Sequence, residues 1–273
     1  MTTPPDVHAI ARQMKAAQDE GRQIEPFTSQ LSDFDVPSAY AVARLIHEER
    51  IHRGAVTVGR KIGFTNRAMW SRYGVCEPIW GYIYDTTVVR VSGTQARCSL
   101  RRFTEPKIEP EIIFHFRSSP PVGGDLAALL ACIDWVAHGF EIVQSHFPKW
   151  KFEAADTVAD QALHATLLVG PPQSVDWLGP GLITALESFS LALSCHGDVR
   201  ELGLGSNVLG SPLAAIAHLV AVLATQPQQV PLQANEMVTT GTITTAQSIY
   251  PGEVWRTELQ GIALPGICVE FDV

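Results

Sequence analysis

"EPKIEPEIIFHF" (Glu105–Phe116) sets two glutamates inside a run of isoleucine and phenylalanine. In a strand, successive side chains point to opposite faces. Ile108, Pro110, Ile112, Phe114 and Phe116 then share one face, and Glu109, Glu111, Ile113 and His115 share the other. Same-face neighbours stand roughly 6.6 Å apart at Cα. The carboxylates of Glu109 and Glu111 can therefore converge on one ion held at about 2.1 Å per oxygen. Without a cation, their repulsion at ~5 Å and an effective dielectric near 20 costs on the order of 3 kcal/mol, before any desolvation. The same alternation also fits a half-exposed strand with a polar outer face.

A third oxygen ligand separates these readings. "GFEIVQSHF" supplies one in Glu141, flanked by Phe140, Ile142 and Val143. A lone glutamate in such surroundings is costly unless paired. An all-carboxylate set suits a hard ion such as Mg2+ or Mn2+ and not zinc. "AVTVGRKIGFT" adds a lysine among small residues, because Thr57, Gly59, Lys61 and Gly63 share a face. That face leaves room for a ligand beside Lys61, and it equally fits a solvated lysine.

Around these strands the periodicity changes. Val7, Ile10, Ala11 and Met14 recur at helical spacing, and a second helix is expected from Asp35, with Pro37 in its first turn and Gly54 at its stop. "GGDLAALLACIDWVAHG" predicts an amphipathic helix from Asp125 to Gly139. "HATLLVG", "SFSLALSCHG", "EMVTTGTITT", "EVWRTEL" and "ICVEFDV" read as strands. Strands dominate the second half without regular helix alternation, which gives an α+β class with antiparallel or mixed sheet. A small helix-bearing N-terminal α/β region, residues 1–95, is expected to precede a β-rich core, residues 96–273.

Composition narrows the function. The 273 residues are 46% hydrophobic and 18% charged, with a formal net charge of -8. There is no basic block, so no nucleic-acid partner is expected. "PLAAIAHLVAVLA" (Pro212–Ala224) is too short to span a bilayer and reads as a buried core helix, so no membrane partner is expected either. "MTTPPDVHAI" lacks the pattern of a signal peptide. Cys76, Cys98, Cys132, Cys195 and Cys268 are odd in number and scattered, as free thiols of a cytoplasmic protein would be. The chain has no Walker loop, HExxH or GxSxG, and "LGLGSNVLG" lacks dinucleotide-loop spacing.

At these residues the chain resembles the 2-keto-4-pentenoate hydratase / 4-oxalocrotonate decarboxylase family, within the fumarylacetoacetate hydrolase superfamily. The resemblance runs through "VGRKIGFT", "YGVCEPIWG", "PKIEPEI", "FEIVQS", "ADTVAD", "LGSPLAA" and "VTTGT", in order along nearly the whole chain. It implies a wrapped mixed β-sheet core of the superfamily's C-terminal-domain type, and a homo-oligomer. It implies that Glu109, Glu111 and Glu141 bind Mg2+ or Mn2+, that Lys61 and Asp160 are catalytic, and that Thr240 and Gly241 contact the substrate carboxylate. Gln161, His164 and Trp80 join them as candidate substrate-pocket residues.

The activity so implied is hydration of a small unsaturated 2-oxo acid, such as 2-hydroxypenta-2,4-dienoate, through a metal-chelated enolate. Decarboxylation of a 4-oxalocrotonate-like diacid is the alternative, followed by acylpyruvate hydrolysis, with His8, His47 and His52 as early candidates for its Glu–His pair. A non-catalytic oxo-acid binder is the reading from another class. Lys61, partly buried near the implied cation, is expected to have a lowered pKa. Four departures surround the implied pocket: "DQAL" (Asp160–Leu163) for "DNAS", "QSH" (Gln144–His146) for "DSR", Asn235-Glu236 for Gly-Asp, and Ile79 for an aspartate.

Overall fold

The computed structural model describes residues 5–67, 70, 75, 77–226 and 230–273. Cys76 and the start of "YGVCEPIWG" lie outside the described residues. Five helices and two sheets position the site. The helices are α1 (Val7–Glu20), α2 (Val36–His52), α3 (Leu126–Ala131), α4 (Ala154–Ala159) and α5 (Pro212–Thr225). Asp6 caps α1 and Asp35 caps α2, each carboxylate accepting from first-turn N–H groups that have no helical partner. Ile10, Met14 and Ala17 of α1 pack with Val42 and Ile46 of α2 against Phe147 and Val158.

The larger sheet runs β2 (Ile79–Tyr84), β1 (Thr57–Gly63), β11 (Met237–Thr239), β5 (Lys107–Phe116), β6 (Ile133–Val143), β7 (His164–Val169), β3 (Val88–Arg90). Short strands β8 (Gln173–Ser174) and β12 (Gln247–Ser248) pair with β6 and β5. The end strands β2 and β3 are joined by only Asp85–Thr87. A flat seven-strand path would separate its outer strands by ~29 Å at about 4.8 Å per step, whereas four peptide steps reach at most ~14 Å. The sheet must therefore curl into a roll. Its concave face holds Ile83, Ile113, Ala137, Leu167, Val169 and Met237. Glu109 and Glu111 share the strand face of Ile113 and so point the same way.

The second sheet runs β10 (Asp198–Leu204), β9 (Ser190–Cys195), β13 (Val254–Gln260), β14 (Cys268–Asp272), β4 (Gln95–Ser99). It packs on the convex face of the roll through Ile108, Ile112, Phe114 and Phe116, with α5 in the same core. Leu213, Ile216, Leu219 and Leu223 of α5 are buried there, as expected for the Pro212–Ala224 run. The expected division at residues 95/96 falls where the chain passes to the second sheet, and strands from both sides of it share the first.

One element differs from expectation. The helix predicted over Asp125–Gly139 ends at Ala131, and Ile133–Val143 is strand β6. The helical stripe of Leu126, Leu129, Leu130 and Ile133 is also compatible with a single helical turn and a half. Beyond it, ten residues of β5 offer a ladder that a helix would leave unpaired, with Ile112↔His138 and Phe114↔Val136 in register. Tertiary pairing overrides the local pattern.

His138 ties the two sheets together. Its Nδ1–H donates to the Glu111 carbonyl (3.0 Å), and Nε2 accepts from the Thr257 hydroxyl of β13 (2.7 Å). Burial pushes its pKa down to about 4, with the Glu111 hydrogen bond opposing. A depressed histidine pKa means that the unfolded chain binds the extra proton between about pH 6.5 and 4. Stability from this group is thus complete above pH 6.5 and lost as pH falls towards 4, by about 3 kcal/mol. Urea unfolding at pH 7 and pH 4 is expected to show that loss, and His138→Gln to show a shallower dependence over the same window.

Candidate metal centre and cavity

The β5–β6 register sets Glu109 opposite Glu141, and Glu111 opposite Gly139. A side chain at Gly139 would sit 2.5 Å from Ile113 Cδ1 and from the Leu168 carbonyl oxygen, so only glycine leaves the space facing Glu111 open. One potential ligand oxygen from each of Glu109, Glu111 and Glu141 lies within 4.8 Å of the others. Glu111 and Glu141 are fully buried, and Lys61 is 3% exposed. These four residues come from β1, β5 and β6, with β11 between β1 and β5, and only folding brings them together.

Each buried carboxylate is anchored through one oxygen. Glu141 Oε1 accepts from Lys61 Nζ (3.0 Å) and from His164 Nδ1 (2.8 Å), while His164 Nε2 meets Thr87 Oγ1 (2.9 Å). Glu111 Oε2 accepts from the Gly241 N–H (2.9 Å). The remaining oxygens, Glu141 Oε2 and Glu111 Oε1, have no protein partner. Unpartnered anionic oxygens in a buried space carry a large desolvation cost. A hard divalent cation, which takes oxygen ligands, removes it. The residues present therefore fit a magnesium or manganese ion.

The electrostatics follow from one ammonium facing three carboxylates. Burial and the charges of Glu141 and Glu109 hold Glu111 well above the usual carboxylate range. Burial pushes Glu109 up to about 7, with Lys61 opposing. Burial acts in the same direction on Glu141, but Lys61 and His164 outweigh it and bring that carboxyl down to about 2. The lowering expected of the Lys61 pKa presupposes a cation beside it; the protein groups alone act the other way. Burial lowers it, but Glu141, Glu109 and Glu111 together raise it.

The cluster opens into a cavity of about 230 Å³. Lys61, Glu109, Glu111 and Gly241 line it. Gly241 has φ 92°, and an added Cβ would lie 1.9 Å from Thr65 Oγ1. Thr240 is buried behind it, its hydroxyl donating to the Ile112 carbonyl. His164 reaches the cluster through Glu141. Asp160 is held elsewhere: it accepts from His146 Nδ1 (2.8 Å) and Gln18 Nε2 (3.1 Å). The Gln161 side chain donates to the Tyr82 carbonyl, and Trp80 stacks on Tyr40 and under Arg60, which pairs with Glu236. Trp80 and Gln161 line a separate small pocket. His47 meets the Tyr84 hydroxyl, and neither it nor His8 or His52 is among the residues lining the cavity. Glu105 accepts from the Lys149 N–H through Oε1 (3.1 Å) and from Trp150 Nε1–H through its carbonyl oxygen (3.0 Å).

Sequence reasoning missed Lys107, Trp150, Phe152, Thr242, Thr244 and Thr245 in the lining. Lys107 was within reach, since it shares the parity of Glu109 and Glu111. Four lining residues, Phe64 (φ 55°), Trp150 (55°), Ala162 (51°) and Leu163 (65°), are non-glycine residues in the left-handed region. Each such residue costs roughly 1–2 kcal/mol and persists where its surroundings over-determine it. The turn at 161–163 is held by the Leu163 N–H on the Asp160 carbonyl (2.8 Å) and by the Gln144 N–H on the Leu163 carbonyl (2.9 Å). Gly81 lets that turn lie against β2, since a Cβ there would sit 2.9 Å from the Gln161 carbonyl oxygen.

No family model matches the chain. Over 261 residues it is 31% identical to a 4-oxalocrotonate decarboxylase of a Pseudomonas species, covering 94% of this chain and 95% of that protein. The chain belongs to the 2-keto-4-pentenoate hydratase / 4-oxalocrotonate decarboxylase family. A 2-keto-4-pentenoate hydratase of Paraburkholderia xenovorans is 28% identical to this family member over 99% of its length and 96% of the relative's. The 4-oxalocrotonate decarboxylase of Pseudomonas putida G7, solved with magnesium and adipate, superposes with a TM-score of 0.88 at 28% identity, covering 99% of both chains. A yeast fumarylacetoacetate hydrolase family protein shares the fold at 14% identity, with a TM-score of 0.57 over 78% of this chain and 91% of that one.

Two outcomes are expected. Mn2+ at a hundred times its Kd raises the unfolding free energy by about 2.7 kcal/mol, and Glu111→Gln weakens calorimetric Mg2+ binding about 100-fold or more. Gly241→Ala costs about 2 kcal/mol or more in denaturant unfolding, because neither the φ nor the space accepts a Cβ.

Proposed function

We propose that the chain is a divalent-metal-dependent hydro-lyase that adds water to a small unsaturated 2-oxo acid of the 2-hydroxypenta-2,4-dienoate type. The observation that carries this reading is the buried set of three glutamates with Lys61 at 3.0 Å from Glu141, open to a cavity of substrate size. Glu109, Glu111 and Glu141 would hold Mg2+ or Mn2+, which supplies Lewis acidity towards the keto and carboxylate oxygens of a 2-oxo acid.

The remaining work falls to this chain's own groups. Lys61 Nζ–H is positioned to bind the substrate carboxylate or to pass a proton to the carbon chain at the cavity wall. Its ion pair with Glu141 keeps it charged and oriented. His164 holds the Glu141 carboxylate in place, so that Oε2 faces the ion site while Oε1 faces protein. The Gly241 N–H does the same for Glu111, and Thr240 holds the Gly241 turn against β5 as a positioning residue. Asp160 is best read as a positioning residue too: it fixes the 160–163 turn that carries Leu163 into the cavity. Gln161 and Trp80 would act on that turn from behind and not on the substrate.

Decarboxylation of a 2-oxo dioic acid is the second reading. It is favoured by the 0.88 TM-score to a decarboxylase and by Lys107, a second ammonium in the lining. Free Cys98, Cys132, Cys195 and Cys268 support a cytoplasmic location, and we propose a homo-oligomer in that compartment.

Loss of ultraviolet absorbance from 2-hydroxypenta-2,4-dienoate tests the leading reading. Turnover is expected to need Mg2+ or Mn2+, to stop with a chelator, and to fall about 10²–10⁴-fold in Lys61→Ala. Calorimetric oxalate binding without turnover of any 2-oxo acid would establish a binder instead.

A further inference from the structure

On its β11 side, the β5 ladder is interrupted where Glu109 and Glu111 sit. β11 stays in register as far as Thr239↔Ile113, and β12 takes over at Gln247↔Ile108. Residues 240–246 cross that gap as a loop. The Thr240 N–H donates to the Ile112 carbonyl (3.2 Å), and the Ile243 N–H to the Pro110 carbonyl (2.9 Å). The loop presents Gly241, Thr242, Thr244 and Thr245 to the cavity, and its Gly241 N–H is the donor that fixes Glu111 Oε2. The second sheet grips this loop from outside. A Cβ on Gly203 of β10 would lie 2.5 Å from the Ile243 carbonyl oxygen, so the strand lies directly against the loop. Just past the strand, Asn207 Nδ2 donates to the same carbonyl (3.0 Å). The β10–β9 ladder is irregular between Val199 and Glu201, and a bulge of this kind re-aims a side chain. The Glu201 carboxylate accepts from the Thr245 N–H (2.9 Å), the Thr245 hydroxyl (2.5 Å) and Gln247 Nε2 (2.8 Å).

We propose that Glu201 and Asn207 are positioning residues of the metal centre: they hold the loop so that the Gly241 N–H stays on Glu111 and the threonines stay at the cavity. The inference rests on the metal set of the proposed function and adds two side chains that do not line the cavity. A loop outside the ladder keeps conformational freedom that ligand binding would have to remove. Glu201 and Asn207 remove it beforehand, by gripping the backbone at Ile243 and Thr245 and the side chain of Gln247. The carboxylate suits that task, because three donors of one segment converge on it and hydrogen bonds to an ionised acceptor are the stronger kind. The effect reaches the ion site through Gly241, whose amide orients one oxygen of a ligand glutamate. A metal ligand held in this way binds with less reorganisation.

The test uses the whole protein and two readouts: hydrogen exchange by mass spectrometry in peptides covering residues 240–247, and Mg2+ affinity by calorimetry. In Glu201→Ala and in Asn207→Ala, exchange in that segment is expected to quicken about 10-fold. Mg2+ affinity is expected to fall about 5-fold in each, and about 10-fold or more in the double variant. Glu201→Gln keeps an acceptor for the Thr245 N–H and is expected to bind Mg2+ within ~2-fold of wild type. Glu270→Ala, on the same sheet and paired with Arg97, is expected to change neither readout. Circular dichroism checks folding, and the single variants decide the matter if the double variant does not fold. Quicker exchange with Mg2+ affinity within ~2-fold of wild type in both single variants marks a structural role only and overturns the inference. Unchanged exchange in both overturns it as well. In either case Mg2+ binding by the wild-type protein leaves the metal reading standing. A wild-type protein that binds no Mg2+ overturns the proposed function and this inference with it.

Discussion

Three carboxylates share one buried ammonium, and most of the structure is arranged around that imbalance. Lys61 neutralises Glu141 and leaves Glu109 and Glu111, two residues apart on β5, close to each other and to Glu141, with their ionisation opposed by burial. An arrangement of this kind is expensive in an apolar interior unless a cation enters. The fold meets the cost locally by giving one oxygen of each buried glutamate a fixed donor: His164 and Lys61 for Glu141, the Gly241 amide for Glu111. The other oxygens, Glu111 Oε1 and Glu141 Oε2, are left without a protein partner. Rigidity at one oxygen and vacancy of partners at the other is what a metal site requires of its ligands.

That local order depends on the curl of the large sheet. β1, β5 and β6 can direct Lys61, Glu109, Glu111 and Glu141 into one space because the sheet closes on itself through the short Asp85–Thr87 link. The same link carries Thr87, whose hydroxyl meets His164 Nε2. His138 then fastens the roll to the second sheet, so the convex face that backs the glutamates is fixed by a buried polar contact as well as by apolar packing.

Much of this was legible in advance, and for identifiable reasons. Alternation along Glu105–Phe116 is a strict two-residue period, so it placed Glu109 and Glu111 together without any knowledge of the fold. The helical spacing of Val7, Ile10, Ala11 and Met14, and the start at Asp35 with Pro37 in the first turn, announced the N-terminal helices through local chemistry. The differences have a common origin in long-range pairing. Leu126–Ile133 carries a helical stripe, yet the chain leaves the helix at Ala131 because β5 needs a partner. Asp160, Gln161 and Trp80 sit beside motif residues in sequence but are turned away from the cavity by hydrogen bonds to His146, Tyr82 and Gln226 that no local pattern encodes. That three acids face Lys61, and act to raise its pKa against burial, is a count available only once β1, β5 and β6 are brought together.

The amino-acid sequence by itself determined the local terms: which residues alternate on a strand, which cap a helix, and that three glutamates and a lysine of the required chemistry are present. It also carried the family motifs in their order. The tertiary structure alone decided which of those residues meet. Register between β5 and β6 set Glu141 against Glu109, closure of the sheet brought in Lys61, and the left-handed turn at 161–163 placed Leu163 in the cavity wall. The physical reason is the range of each interaction. Side-chain period and capping act over a few residues and are written in the order of the chain, whereas charge pairing and cavity shape depend on distances between segments that only folding fixes.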